Sequence, residues 1–275
     1  MTQEQHQLEK KYPVRSKEHK QRMIKHWLIT IVVLAIIVWG FAGMPALELK
    51  SKSIEILKSI FNGLFHPDWD YVYIPAGEDL LRGLLETFAI AVIGTFIAAV
   101  ICIPFAFLGA RNLVKVRPVT GITKFILSVI RVFPEIVMAL IFIKAVGPGS
   151  FSGVLALGIH SVGMLGKLFI EDIESLDFSS AEALKASGAN KTKTLVFAVI
   201  PQILPSFLSL LLYRFELNLR SASILGLIGA GGIGTPLIFA LQTRSWDRVG
   251  IILIGLVIMV AIVDFISGAI RKRIV

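Results

Sequence analysis

Long apolar runs separated by short polar stretches make up most of the chain. Runs of about 20 residues, the length that crosses a bilayer as a helix, occur at roughly 27–43, 84–108, 122–146, 151–170, 195–217 and 249–269. The apolar residues are continuous rather than alternating with a period of two, which favours helices over the strands of a barrel. We therefore predict an all-α polytopic membrane protein with about six transmembrane helices.

The chain outside these runs divides into a few segments. A polar N-terminal tail (1–26) precedes the first transmembrane helix (27–43), which no Ala-x-Ala cleavage site follows, so we do not read it as a cleaved signal. In segment 44–79, apolar residues at helical spacing predict an amphipathic helix, lying either on the membrane surface or against the protein's own spans. The main transmembrane domain covers 80–270 and includes a polar loop at 171–194, and a short basic end (271–275) follows.

Composition and charge fit a membrane location. The chain is 55% hydrophobic and 17% charged, with a mean hydropathy of +0.77, whereas soluble domains carry about a quarter charged residues. Of its 28 lysines and arginines, 18 fall on the tail, two loops and the C-terminal end that share one side of the membrane. This bias predicts a cell-membrane protein with both termini in the cytoplasm. The net charge of +9 is then explained by contact with anionic lipid, and no nucleic-acid partner is expected.

The polar loop contains a short helix with a readable start and end. Ser179 and Glu182 have capping-box spacing, which predicts a helix from about Ser179 to Ser187, and Gly188 is suited to the left-handed conformation that ends it. Such a helix is either an ordinary loop helix or an element that fits a groove on a soluble partner.

The stretch EALKASGANKTKTLVFAVIP (182–201) resembles the "EAA…G…I-x-L-P" loop of ABC-importer permeases, with conservative departures at Leu184, Ala198 and Ile200. The resemblance implies that this loop docks on an ATP-hydrolysing subunit. The residues it assigns to coupling are Glu182, Ala183, Leu184, Gly188 and Pro201.

A second stretch, LGLIGAGGIGTP (225–236), is rich in glycine and satisfies G-x-G-x-x-G. A dinucleotide site would need a preceding strand and a βαβ unit, and apolar spans surround this segment instead. It resembles a segment near the outer gate of methionine, osmoprotectant and phosphonate permeases, which places a gate or translocation path at Gly226, Gly229, Gly231, Gly232 and Gly234. We expect two copies of this segment to meet closely across a dimer axis, because glycine has no side chain.

Three further motifs resemble phosphonate-importer permeases in particular: ETF…GT…IPFAF…ARN (86–112), RVFPE (131–135) and YRFE (213–216). The resemblance implies a type I ABC importer membrane domain with a methionine-permease-like core, which imports phosphonate or a related phosphorus oxyanion by alternating access. It further implies a permease homodimer, two cytoplasmic ATPases that bind ATP and Mg, and an extracytoplasmic binding protein. The alternative is a methionine or osmoprotectant permease.

Charged residues at membrane depth are costly and are expected to be paired. Arg131 and Glu135 are four residues apart, as are Glu216 and Arg220, so each pair is predicted to form an ion pair along its helix. An alternative role for Arg214 and Arg220 is to attract an anion at the outer mouth. His160 and Asp264 are expected to make polar contacts between helices.

Other function classes find no support in the sequence. It contains no H-E-x-x-H or G-x-S-G motif of an intramembrane protease and no sequence like a channel filter. It also has no G-x-x-x-x-G-K-[ST] motif for binding ATP. We therefore expect no catalytic residue, metal or cofactor in this chain. Its single Cys102 excludes a disulfide within the chain.

Overall fold

The computed structural model describes residues 17–42, 51–75 and 78–274. It divides into two compact units, Met1–Glu55 and Ile56–Val275. The helices are α1 (Lys17–Ala42), α2 (Ser51–Phe65), α3 (Leu80–Gly109), α4 (Arg117–Val132), α5 (Glu135–Val146), α6 (Ser150–Ser175), α7 (Ser179–Ala186), α8 (Lys191–Gly226), α9 (Gly234–Gln242) and α10 (Trp246–Ile274), with a 3₁₀ turn at Trp69–Val72. Five of them are long and apolar enough to cross a membrane, or six spans if the bent pair α4–α5 counts as one.

Helix α1 belongs to the first unit. It begins at Lys17, inside the segment predicted as a tail, and its part from Arg22 to Ala42 is apolar enough to span a bilayer. Every side chain described in it is exposed, as expected of a helix whose surroundings are lipid or another protein.

Helix α2 confirms the amphipathic helix predicted in segment 44–79. Its last turn packs on the start of α10, where a Cβ on Gly63 would meet the backbone of Trp246 at 2.6 Å. Leu57 and Phe61 remain exposed. The end of α2 therefore lies against the protein's own span, while its exposed apolar face suits a membrane surface.

Helix α6 lies at the centre of the second unit and contacts α3, α4, α5 and α8. Small residues allow these close approaches, because a Cβ on Gly163 would come within 2.9 Å of the Leu127 carbonyl oxygen of α4. The largest buried apolar cluster joins α3, α6 and α8 to α7 through Ala106, Phe169, Ala181 and Ala198. Packing therefore connects the spans directly to the predicted coupling helix.

The predicted third span (122–146) is broken. Helices α4 and α5 meet at 85°, and the two residues between them, Phe133 and Pro134, have extended backbones. Proline lacks an N–H group and disfavours the helical conformation of the residue before it. Pro134 therefore accounts for the break.

Helix α8 is continuous but contains a π-helical turn at Leu195–Val199. Pro201 and Pro205 follow within the next two turns and remove two backbone donors. Gln202 donates from its side-chain amide to the Ala198 carbonyl oxygen at 2.9 Å. The irregular turn thus lies near the start of α8, between its polar first turn next to α7 and its apolar membrane-spanning part.

Candidate functional site

The start of α7 differs in detail from the predicted capping box. The N-cap is Phe178, which makes no side-chain cap hydrogen bond. Asp177 performs the capping instead, since its carboxylate accepts the Ser179 backbone N–H at 2.9 Å and the Ser179 hydroxyl at 2.8 Å. These two donors hold the pKa of Asp177 below its usual value. The helix is where the sequence predicted it, and the residue that caps it lies two positions earlier.

The end of α7 confirms the prediction for Gly188, whose φ is +87°. Its N–H donates to the Lys185 carbonyl at 3.0 Å, and the Ala189 N–H donates to the Leu184 carbonyl at 3.0 Å. This pair of bonds is the Schellman arrangement. No atom lies within 4 Å of a Cβ built on Gly188, so only the backbone conformation demands glycine here.

Helix α7 presents one face to the core and one face away from it. Ala181 is 2% exposed and packs in the cluster that includes Ala198 and Val199 of α8, with Leu184 at its edge. Glu182 and Ala183 are exposed. The exposed face is free, among the residues the structure describes, to meet another subunit.

The glycine-rich segment lies between α8 and α9 and is tightly held. Gly229, Gly231 and Gly232 have φ values of +94°, +83° and +74°, which side chains rarely adopt. A Cβ on Gly226 would lie 2.7 Å from the Gly234 Cα, and one on Gly231 would lie 2.6 Å from the Ser150 nitrogen. The close contacts described here are therefore within one chain, and contact across a dimer axis stays a prediction.

Hydrogen bonds fasten this segment to the starts of α3 and α6. The Ile233 N–H donates to the Thr87 hydroxyl at 2.8 Å, and the Gly149 N–H donates to the Gly229 carbonyl at 2.9 Å. The Ser150 hydroxyl donates to Glu86, whose carboxylate lies beside Gly231. A movement of α3 against α6 would therefore break some of these bonds or displace the glycine segment.

An open cleft of about 840 Å³ adjoins the glycine segment. Its charged lining residues are Glu78, Asp79, Arg82 and Glu86. Asp79 is 1% exposed and caps α3 by accepting the Arg82 N–H at 2.7 Å. With three carboxylates and one guanidinium the charged lining of this cleft is mainly acidic, and neither Arg214 nor Arg220 belongs to it.

Arg214 lies inside the helix packing and not in that cleft. It is 4% exposed and donates to the Ser161 hydroxyl at 2.9 Å, the Met164 sulfur at 3.0 Å and His160 Nδ1 at 2.9 Å. These partners come from the middle of α6, so the guanidinium is buried between α6 and α8. The contact between helices predicted for His160 is confirmed, and the steering position predicted for Arg214 is wrong.

The ion pairs also differ from those predicted. Arg220 pairs with Asp264 at 2.7 Å, and Glu216 pairs with Arg271. Both partners belong to α10, which runs antiparallel beside α8, so the pairing is between helices rather than along one. The contact between helices predicted for Asp264 is confirmed.

The break at Pro134 explains why the ion pair predicted between Arg131 and Glu135 does not form. It places Arg131 and Glu135 on helices that diverge by 85°, so their spacing of four no longer brings them together. Glu135 accepts the Ser221 hydroxyl at 2.7 Å and lies 3.7 Å from His160. Within the described part of the chain, Arg131 makes no ion pair, and no group of three His, Cys, Asp or Glu residues could hold a metal ion.

Comparisons with known proteins agree with this architecture. A family model described as "Binding-protein-dependent transport system inner membrane component" matches residues 102–275. The phosphite transport system permease protein PtxC of Stutzerimonas stutzeri is 43% identical over 193 residues, 70% of each chain. The putative phosphite transport system permease protein HtxC of the same organism is 33% identical over 252 residues, 91% of this chain and 87% of that one.

A solved structure, the inward-facing MetNI methionine ABC transporter, matches with a TM-score of 0.61 and 18% identity over 71% of this chain and 96% of that one. This likeness shows a shared fold, that of a type I ABC importer membrane domain. Together with the family model and the relatives, it gives the conclusion: the chain belongs to the family of binding-protein-dependent transport system inner membrane components.

Proposed function

We propose that this chain is the membrane subunit of an ATP-driven importer for phosphite, phosphonate or a related phosphorus oxyanion. The observation that carries the substrate class is the 43% identity with a phosphite permease over 70% of each chain. The motifs at 86–112, 131–135 and 213–216 support the same class. Substrate choice among these anions belongs mainly to the partner binding protein.

The geometry of α7 supports a partner on the cytoplasmic side. The helix is short, capped at both ends and exposed at Glu182 and Ala183, as a groove-filling element must be. In a permease homodimer, the two copies of α7 would each contact one ATPase subunit. The ATPase subunits would bind ATP and Mg. This chain itself then needs no cofactor and performs no catalysis.

Orientation follows from the charge distribution. Both termini lie in the cytoplasm of the cell that carries the protein in its plasma membrane, since most lysines and arginines cluster on that side. The glycine segment and the acidic cleft then face outward, where an extracytoplasmic binding protein docks.

Movement would pass along α8. Ala181 of α7 packs on Ala198 and Val199, at the irregular turn of α8, and the far end of α8 leads into the glycine segment. When ATP brings the ATPases together, a displacement of α7 would rotate α8 and shift the glycine segment against Thr87 and Ser150. Alternating access then needs only the contacts described above to break and re-form.

Substrate competition tests this proposal. The chain is reconstituted in vesicles with its ATPase and binding protein, and uptake of labelled phosphite is measured with unlabelled phosphonate, methionine or glycine betaine present. We expect phosphonate to compete and the other two to have no effect. Competition by methionine or betaine, with none by phosphonate, would establish the alternative substrate class.

A further inference from the structure

A hollow of about 550 Å³ lies beside the loop that joins α3 to α4. It is at the same end of the molecule as α7, because the Arg111 N–H donates at 2.9 Å to Glu174, near the end of α6 that leads into α7. Three cationic residues line it, together with a hydroxyl, a valine and a glycine: Arg111, Lys115, Arg117, Thr120, Val114 and Gly121.

The side chains of the three cations form no salt bridge within the described part of the chain. Glu174, the acidic residue nearest in these contacts, accepts the Arg111 backbone N–H and interacts with the Arg111 charge, but its carboxylate is already paired with Lys124 Nζ at 2.8 and 3.0 Å. Among the residues that the structure describes, Arg111, Lys115 and Arg117 form no ion pair, and all three are exposed. Three like charges around one open space repel each other, and an anion between them would remove that repulsion.

Gly121 lines the space between the cations and places no side chain in it. A Cβ built on Gly121 meets no atom within 4 Å, so this glycine relieves no clash inside α4. Glycine within a helix is unfavourable relative to alanine, and a methyl group at this position would still leave the hollow open.

Apolar side chains continue from the hollow along α3 and α4. Ile122 is 61% exposed and Phe125 is 68% exposed on α4, and Leu108 is 46% exposed at the end of α3. A small soluble anion would gain nothing from this apolar surface next to the hollow. A phospholipid does, because its phosphate and its acyl chains need a basic site and an apolar surface side by side.

We propose that this hollow binds the phosphate group of an anionic phospholipid, whose acyl chains lie along Ile122 and Phe125. Each lysine or arginine near an anionic lipid surface contributes about fivefold in affinity, which corresponds to about 1 kcal/mol. Removing all three cations therefore lowers the affinity about 100-fold. The proposal uses the proposed function only to name the cytoplasmic leaflet as the source of the lipid.

Native mass spectrometry of the full chain in detergent tests the site with added phosphatidylglycerol or phosphatidylcholine. We expect the wild-type chain to retain phosphatidylglycerol preferentially, and the variant R111Q/K115Q/R117Q to lose that preference. The matched control is K185Q/K191Q/K193Q, which removes three exposed charges elsewhere and should bind as wild type does. Equal retention by the triple variant, or an equal loss in the control, would overturn the proposal.

A second pair of variants guards against misfolding. Gly121→Ala leaves the hollow open and should bind as wild type does, whereas Gly121→Glu places a carboxylate among the cations and should abolish the preference. If millimolar inorganic phosphate displaces the lipid, the site is one for a free oxyanion and the lipid proposal is wrong. Because binding is measured without transport, its failure is distinct from failure of phosphite uptake.

Discussion

Replacing Gly188 with valine should uncouple ATP hydrolysis from transport and leave the spans intact. The φ of +87° costs an L-residue about 1–2 kcal/mol, and a β-branched side chain lies at the upper end of that range. Because no atom lies within 4 Å of the new Cβ, no steric clash adds to this cost. The expected penalty on the native end of α7 is thus about 2 kcal/mol.

That penalty lowers the ratio of correctly ended to incorrectly ended helix about 30-fold, and so lowers the population of the correctly ended helix by at most that factor. The apparent affinity for the ATPase falls by up to the same factor, because only that population can dock. The assay compares substrate-stimulated ATPase activity and phosphite uptake in reconstituted vesicles. Gly188→Asn is the matched control, since asparagine tolerates the left-handed conformation, and it should keep most of the coupling. Normal transport by Gly188→Val, or equal losses in both variants, would refute the assignment of α7 as the coupling element.

Three other substitutions have defined outcomes. Gly231→Leu should stop transport but preserve binding of the ATPase in a pull-down, because its Cβ would lie 2.6 Å from the Ser150 nitrogen, beyond the end of α8 that is opposite to α7. Arg214→Gln should lower stability by about 3 kcal/mol through lost charged hydrogen bonds, seen as a lower melting temperature in detergent. Its effect on uptake should not change with salt, because a guanidinium that is 4% exposed is poorly screened; a salt-dependent loss would restore the steering role. The pKa of Asp177 is lower in the folded chain than its ordinary value of 3.8. The stabilisation from its cap is therefore fully present above pH 3.8 and is lost as the pH falls through the pKa of the folded chain. Hydrogen exchange at the start of α7 should therefore rise over that window relative to Asp177→Asn, and identical profiles would exclude this cap.

Helix positions were largely readable from the sequence, because apolar run length and glycine chemistry act locally. The ending of α7 at Gly188 needed only the rule that glycine adopts positive φ at a helix end. Pro134 could have indicated the break between α4 and α5, but the continuous apolar run around it led to the prediction of one unbroken span. The capping role of Asp177 could also have been inferred, since aspartate commonly accepts backbone N–H groups two residues on.

Charge pairing could not be read in the same way. Glu216 and Arg220 are spaced for a pair along one helix, yet their partners are Arg271 and Asp264 on α10. Antiparallel packing of α8 and α10 decides this, and the packing is a tertiary property. The acidic cleft was missed for the same reason, since Glu78 and Glu86 meet the glycine segment only after α3 has packed against α6.

Accumulation of phosphite against its gradient is the measurement that tests the central claim most directly. Vesicles containing the chain, its ATPase and its binding protein are loaded with ATP, a non-hydrolysable analogue or no nucleotide, and internal phosphite is followed with time. The account predicts that internal phosphite rises above its external concentration only in the vesicles loaded with ATP. Equilibration of phosphite across the membrane without ATP or the ATPase would show a passive pathway and contradict the account.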